Sequence, residues 1–100
     1  MYEIYQTRLF QRWHDRLHDR HAIARIDARL RRMESGHFGD VKHVGQGVRE
    51  ARIDHGPGYR LYYIQRGVRL IVLLMGGDKS SQGRDIRRAV ELAEAWDTQV

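Results

Sequence analysis

Arg52, Arg60 and Lys79 are the side chains of this sequence whose types and spacing best suit the binding of an anion. Val48 to Asp54 reads as a strand, and alternation of its side chains places Arg52 on the face opposite Ala51. Arg60 follows a tight turn and is expected on that same outward face, and Lys79 belongs to the loop after the next strand. Because no acidic cluster matches them, we expect both arginines to point away from the core and bind a polyanion through paired N–H bonds, with Lys79 as an added point charge.

A β-meander must position these cations. His55-Gly56-Pro57-Gly58 combines two glycines with the fixed φ of proline, so the chain can reverse tightly into Tyr59 to Ile64. Alternation then predicts that Arg60 and Tyr62 emerge on one face. Leu70 to Met75 is apolar on both faces and is predicted to be the central strand, covered on each side.

The first third of the chain predicts a strand followed by a helical hairpin. Tyr2 to Tyr5 alternates as a short strand, and Thr7 can cap the first helix. Apolar residues recur along that helix at three- and four-residue steps: Phe10, Trp13 and Leu17. The second helix carries one apolar stripe before Gly36 ends it: Ile23, Ile26, Leu30 and Met33. Its opposite face is predicted to be a solvated stripe of Arg25, Arg29 and Arg32.

The remaining segments complete an α+β plan. Ser35 to Gly47 has four glycines and no clear period, which predicts a connecting loop ordered by Phe38 and Val41. Asp78 or Ser80 can cap a final amphipathic helix, marked by Ile86, Ala89, Val90, Ala93 and Trp96. The predicted order is β-α-α-β-β-β-α in one domain, residues 1–100. In this two-layer plan the hairpin would cover one face of a mostly antiparallel sheet, and the last helix would cover part of the other face or an edge. An open face with Arg52, Arg60 and Tyr62 would remain.

Composition favours a polyanionic partner. Lys and Arg total 18 against 13 Asp and Glu, a net charge of +5, and arginine's planar fork suits phosphates and carboxylates. A soluble helical surface with salt-bridged arginines explains the helix arginines equally well. The chain has no cysteine. With no run of 18 apolar residues and no charged-then-apolar leader, a cytoplasmic location without membrane contact is expected.

Three histidines invite a metal interpretation that we disfavour. His14, His18 and His21 fall at i, i+4 and i+7, which could group imidazoles on one helix face. The helix is predicted to break near Asp19, and no supporting pattern of outer ligands accompanies them. We therefore expect no metal site and no cofactor.

Several segments together resemble the RelE/ParE superfamily of bacterial toxins, in particular the HigB-like "addiction module killer" branch. The resemblance covers nearly the whole chain and lies in Phe38-Gly39-Asp40-Val41-Lys42, Glu50 to Asp54, Gly56-Pro57-Gly58-Tyr59-Arg60, and Gly76-Gly77-Asp78-Lys79-Ser80 with Gln82, Asp85 and Ile86. It implies a RelE/ParE-like fold. RelE and HigB types are ribosome-dependent endoribonucleases that cut messenger RNA, whereas ParE types inhibit DNA gyrase, and a shared fold does not choose between these targets.

For the nuclease, the resemblance implies that Arg52, Arg60 and Lys79 are the catalytic cations. Contacts to RNA and the ribosome are expected from the same three side chains, with Arg49 and Arg84. It also implies a cognate antitoxin, often with a helix-turn-helix domain, through which the toxin meets DNA only indirectly. Several relatives carry an extra tyrosine or histidine beyond the last helix, and Trp96 to Val100 offers none, so the chemistry is expected to come from the meander.

Metal-independent RNA cleavage requires a group that removes the 2′-hydroxyl proton, charge that stabilises the phosphorane, and a donor for the departing 5′-oxygen. The arginines suit charge stabilisation. Candidates for proton transfer are His55, Glu50 as a base beside Arg52, and Tyr62 as a donor.

The leading hypothesis is therefore the toxin of a type II toxin–antitoxin module, an endonuclease that arrests translation and growth. A non-enzymatic gyrase inhibitor and a plain RNA-binding module are the alternatives.

Overall fold

The computed structural model describes residues 1–99, and Val100 lies outside them. The elements are β1 (Glu3–Gln6), α1 (Arg8–Asp15), α2 (Arg20–Glu34), β2 (Val41–Gly45), β3 (Val48–Ile53), β4 (Tyr59–Arg66), β5 (Leu70–Gly77), a 3₁₀ turn (Lys79–Ser81) and α3 (Gln82–Thr98). The predicted α+β class is confirmed. The predicted order lacked one strand, because Ser35 to Gly47 is not entirely a loop.

The strands form one five-stranded sheet in the order β1-β5-β4-β3-β2. β1 pairs with β5 in parallel, with Glu3 opposite Leu70, and the other three pairings are antiparallel. β5 is covered on both faces as predicted, although the middle strand is β4. A register shift after Tyr62 places Leu74 as an extra residue in β5, so Leu74 and Met75 both join the α3 side of the core.

The helix boundaries follow from local chemistry. Thr7 accepts a hydrogen bond from the Phe10 amide at 3.1 Å, which caps α1 as predicted. Asp19 caps α2 by accepting bonds from the amides of the two residues that follow Arg20. α2 ends at Gly36, whose φ of +88° is the left-handed conformation that glycine tolerates.

The two faces of the sheet bury separate apolar clusters. The α1–α2 hairpin packs on one face with Phe10, Ile26, Leu30, Met33, Ala51, Ile53, Leu61, Tyr63, Ile71 and Leu73. α3 packs on the other with Val48, Tyr62, Ile64, Val72, Leu74, Met75, Ala89 and Ala93. The predicted coverage by α3 is confirmed, but the two-layer plan with an open face is wrong: the molecule has three layers.

Two close approaches fix helices against β5. At Gly76 an added Cβ would overlap the indole ring of Trp13 in α1, and at Gly77 it would overlap the carboxylate of Asp85 in α3. Both strand positions therefore need glycine for space.

The segment before β3, predicted to be a loop, contains the strand β2. Val41 pairs with Ala51, and Phe38 stacks on Tyr63 with ring centroids 6.1 Å apart. Phe38 and Val41 thus order this segment as expected.

Within residues 1–99, no helix is long and apolar enough to cross a membrane.

Candidate phosphate-binding cleft

An open cleft of about 410 Å³ lies where the β3–β4 turn meets the segment that follows β5. Its lining residues are Asp40, Arg52, Ile53, Asp54, Gly56, Pro57, Gly58, Tyr59, Arg60 and Lys79. The structure therefore brings together the three cations that the sequence singled out, Arg52, Arg60 and Lys79. Two of them nevertheless have carboxylate partners, so the expectation of unmatched cations is wrong.

Arg60 is the innermost cation of the cleft. Its residue is only 8% exposed, so the prediction that it points away from the core is wrong. It lies near the start of β4, opposite Gly77, on the face that α3 covers. Its Nη1 lies 3.7 Å from Oε1 of Glu50, too far for a hydrogen bond.

The guanidinium of Arg60 retains free donors. Among residues 1–99, its Nε and Nη1 atoms are buried and have no hydrogen-bond partner. Buried donors without partners cost about 1–3 kcal/mol each. Nη2 is not among these buried atoms, so it is the Arg60 donor through which a phosphate in the cleft would be bound.

Glu50 anchors a buried polar network beneath Arg60. It is 0% exposed and accepts hydrogen bonds from Tyr62 Oη at 3.0 Å and from Gln82 Nε2 at 3.0 Å. Burial raises the pKa of the Tyr62 phenol, and its bond to Glu50 raises that pKa further. α3 therefore covers both Glu50 and Tyr62. The prediction that Tyr62 emerges on an open face is wrong.

Arg52 occupies the outer rim of the cleft. Its Nη2 lies 2.9 Å from Oδ1 of Asp40, and both side chains are substantially exposed. The Arg52 hydrogen bond holds the pKa of Asp40 below its ordinary value, and the same bond raises the pKa of Arg52. Exposed pairs of this kind contribute about 0–1 kcal/mol, so a phosphate can displace the carboxylate at little cost.

Lys79 reaches the cleft because its backbone is bound to the turn. The Lys79 amide donates to the Pro57 carbonyl at 3.3 Å, and Asp78 caps the 3₁₀ turn by accepting from the Ser80 amide at 2.8 Å. The Lys79 side chain is exposed and has no ion-pair partner within the described part of the chain. Of the three cations, Lys79 is therefore the one whose charge is not shared with a carboxylate among residues 1–99.

His55 is turned toward the helical hairpin. Its Nε2 lies 3.0 Å from Oδ2 of Asp19, the residue that caps α2. The His55 hydrogen bond is the main reason that the pKa of Asp19 lies below its ordinary value. His55 does not line the cleft, so its evident contact is structural, between the turn and α2.

The other two predicted binding arginines lie apart from the cleft. Arg49 is on the face of β3 opposite Arg52, where its Nη1 donates to Oε1 of Gln65 at 3.0 Å. Arg84 is exposed on α3 and does not line the cleft. His14 is bound to Asp27, with Nε2 and Oδ1 2.8 Å apart, and no group of three or more potential metal ligands occurs among residues 1–99.

Sequence reasoning missed four residues that shape this region. Asp40, Asp54 and Tyr59 line the cleft. Arg29, predicted to be solvated, is 8% exposed and donates from Nη2 to the Arg52 carbonyl at 2.8 Å. The only available signal for Asp40, Asp54 and Tyr59 was their place in the resembling segments, and Arg29 gave none.

The arrangement can bind a phosphate and stabilise added negative charge on it. Three cations converge from three separate segments, and Arg60 lies innermost among them. The proton-transfer groups predicted from the sequence are held elsewhere: Glu50 and Tyr62 are buried, and His55 is bound to Asp19. Besides the cations, the ionisable groups that line the cleft are the carboxylates of Asp40 and Asp54 and the phenol of Tyr59.

Comparison with known proteins identifies a relative that spans nearly this whole chain. No protein-family model matches the chain. An uncharacterized protein of Haemophilus influenzae is 45% identical over 92 residues, which cover 92% of this chain and 93% of that protein. Identity at this level over nearly the full length of both chains shows common descent and a shared fold. The chain belongs to the same family as this Haemophilus influenzae protein.

Proposed function

We propose that this chain is the toxin of a type II toxin–antitoxin module and acts as a ribosome-dependent messenger RNA endonuclease of the RelE/ParE superfamily. In this proposal it works in the cytoplasm, arrests translation and is neutralised by a cognate antitoxin. The observation that supports it best is the convergence of Arg52, Arg60 and Lys79 on one open cleft. The resemblance of Gly56-Pro57-Gly58-Tyr59-Arg60 and of the segment around Lys79 to the HigB-like branch supplies the reaction.

The cations would act on the phosphate of the bond that breaks. Arg60 donates from below, Lys79 from the side that follows β5, and Arg52 from the rim once Asp40 is displaced. As the 2′-oxygen attacks phosphorus, negative charge grows on the phosphorane oxygens, and fixed positive charge stabilises that state more than the ground state. The P–O5′ bond breaks, leaving a cyclic phosphate and a 5′-hydroxyl.

A proton must leave the 2′-hydroxyl and another must reach the departing 5′-oxygen. Asp54 lines the cleft and has no ion-pair partner among residues 1–99, so in this proposal its carboxylate accepts the first proton. The second proton comes from solvent or from Lys79. Alignment of the RNA by the ribosome supplies a large share of the rate, since positioning alone can contribute about 7–11 kcal/mol.

A pulse of expression without antitoxin tests the proposal. Newly formed 5′ ends are mapped on translated messages, and plasmid supercoiling is assayed in the same cells. New ends in frame with codons support the nuclease. Altered supercoiling with intact messages would instead show a gyrase inhibitor and overturn it, as would unimpaired growth with neither effect.

A matched pair of variants ties the result to the cleft. Arg52→Ala removes a rim cation whose side chain is 40% exposed, so the fold is expected to remain intact and message cleavage to be lost. Arg69→Ala removes an exposed cation of the β4–β5 turn, outside the cleft, and should cleave like the wild type. Circular dichroism of both purified variants checks the fold.

A further inference from the structure

A second cleft continues the first across α2. It has a volume of about 270 Å³ and is lined by Arg25, Ala28, Arg29, Arg32, Ile53 and Asp54. Ile53 and Asp54 line both clefts, so the two clefts adjoin at the end of β3, and we call them together the groove. Six cations and two carboxylates border this groove, so the formal charge of its lining is net positive.

The three arginines of the second cleft form one stripe of α2. Their spacing, i, i+4 and i+7, places them on a single helix face, and Arg25 and Arg32 are separated by about 10 Å along the axis. Both of these outer arginines are exposed. Neither has an ion-pair partner among residues 1–99, unlike Arg66, which is paired with Asp97 at 2.7 Å.

Arg29, the middle member of the stripe, connects the elements that line the two clefts. It donates to the Arg52 carbonyl at 2.8 Å and to the Phe38 carbonyl at 3.4 Å, so it joins α2 to β3 and to the segment before β2. Burial lowers the pKa of its guanidinium, and the nearby charge of Arg32 lowers it further. An anion bound between these helix arginines would relieve that repulsion.

We propose that the α2 part of this groove is a second phosphate-binding site, in which Arg25 and Arg32 contact the backbone of the same RNA strand that enters the first cleft. The inference rests on the proposed function, since it assigns to α2 the phosphates flanking the one held by Arg60 and Lys79. Backbone contacts of this kind position a strand without reading its bases.

The test measures binding of single-stranded RNA whose 2′-hydroxyls are methylated, so that cleavage by the 2′-oxygen is impossible. A trinucleotide fills only the first cleft, whereas a dodecanucleotide covers both. Arg25→Gln with Arg32→Gln should leave trinucleotide affinity unchanged and weaken dodecanucleotide binding about tenfold. The slope of log affinity against log salt for the dodecanucleotide should fall by about 1.4, from two lost phosphate contacts at about 0.7 each.

A control variant removes the same charge elsewhere. Arg31→Gln with Arg87→Gln replaces two exposed arginines, one on α2 and one on α3, that line neither cleft. If this control loses dodecanucleotide affinity equally, the effect is one of net charge and the inference fails. The inference also fails if the Arg25/Arg32 variant binds the dodecanucleotide like the wild type.

Failure of the proposed function is separately visible. Wild-type protein that binds the trinucleotide while the helix variant has no effect overturns only the second site. Wild-type protein that binds neither oligonucleotide at low salt overturns the RNA-binding cleft and the second site together.

Discussion

Removing Arg60 should destabilise the fold because it leaves Glu50 buried without a charge partner. Glu50 is 0% exposed, and its Oε1 lies 3.7 Å from Nη1 of Arg60. At an effective dielectric constant of about 20, two unit charges at that distance attract by about 4.5 kcal/mol. Arg60→Met preserves most of the side-chain volume and removes that attraction.

The expected loss is about 3 kcal/mol, the lower end of the range for breaking a buried pair, because Tyr62 and Gln82 still donate to the carboxylate. With a urea dependence of about 1.5 kcal/mol per molar, the unfolding midpoint should fall by about 2 M. Arg52→Met is the matched control. It breaks the exposed pair with Asp40, so the midpoint should change by less than about 0.7 M, since such a pair contributes at most about 1 kcal/mol.

The double variant Arg60→Met with Glu50→Gln separates charge from packing. Removing the carboxylate's charge as well should recover stability to within about 1–2 kcal/mol of the wild type. Equilibrium urea unfolding, followed by tryptophan fluorescence and by circular dichroism, gives the free energy of unfolding of the wild type, of the two single variants and of the double variant. If the double variant is as unstable as Arg60→Met alone, the ion-pair explanation is refuted.

Three other perturbations address the rim, the sheet and the acid response. Asp40→Asn removes the carboxylate that competes for Arg52 and should tighten RNA binding by up to about fivefold, measured by fluorescence anisotropy; weaker binding would contradict a competing role. Gly76→Ala should cost about 3 kcal/mol in urea unfolding, because its Cβ meets the indole ring of α1, and an unchanged midpoint would show that this ring moves freely. Asp19 has a pKa held below its ordinary 3.8 by His55, so its stabilisation is complete above that pH and is lost as the pH falls through the lower folded value. Asp19→Asn keeps a capping side chain and should make the urea midpoint less sensitive to pH below about 4, whereas an identical acid profile would count against the bond.

Strand alternation and helix periodicity predicted the parts of this molecule that depend on local sequence. The cap at Thr7, the end of α2 at Gly36, the apolar face of α3 and the coverage of β5 are confirmed. Each depends on residues within a few positions of one another. The convergence of Arg52 and Arg60 also followed, because one tight turn joins their strands.

The missed features depend on partners distant in sequence. Alternation correctly put Glu50 on the face of Arg52, but only the packing of α3, with Gln82 reaching back 32 positions, makes that face buried. Likewise, the sequence alone indicates a turn residue at His55. Its partner Asp19, 36 positions away, lies beside it only in the folded chain. β2 has adjacent exposed residues at Lys42 and His43 and contains a register shift between His43 and Gly45, so its alternation is weak.

The parallel pairing of β1 with β5 sets the order in which the chain can be completed. Glu3 has no neighbour in the sheet until Leu70 is in place. A pairing between residues so far apart in sequence is slow to form. Lys79 directly follows β5, so a chain synthesised only as far as β4 lacks both the sheet partner of β1 and the third cation of the cleft.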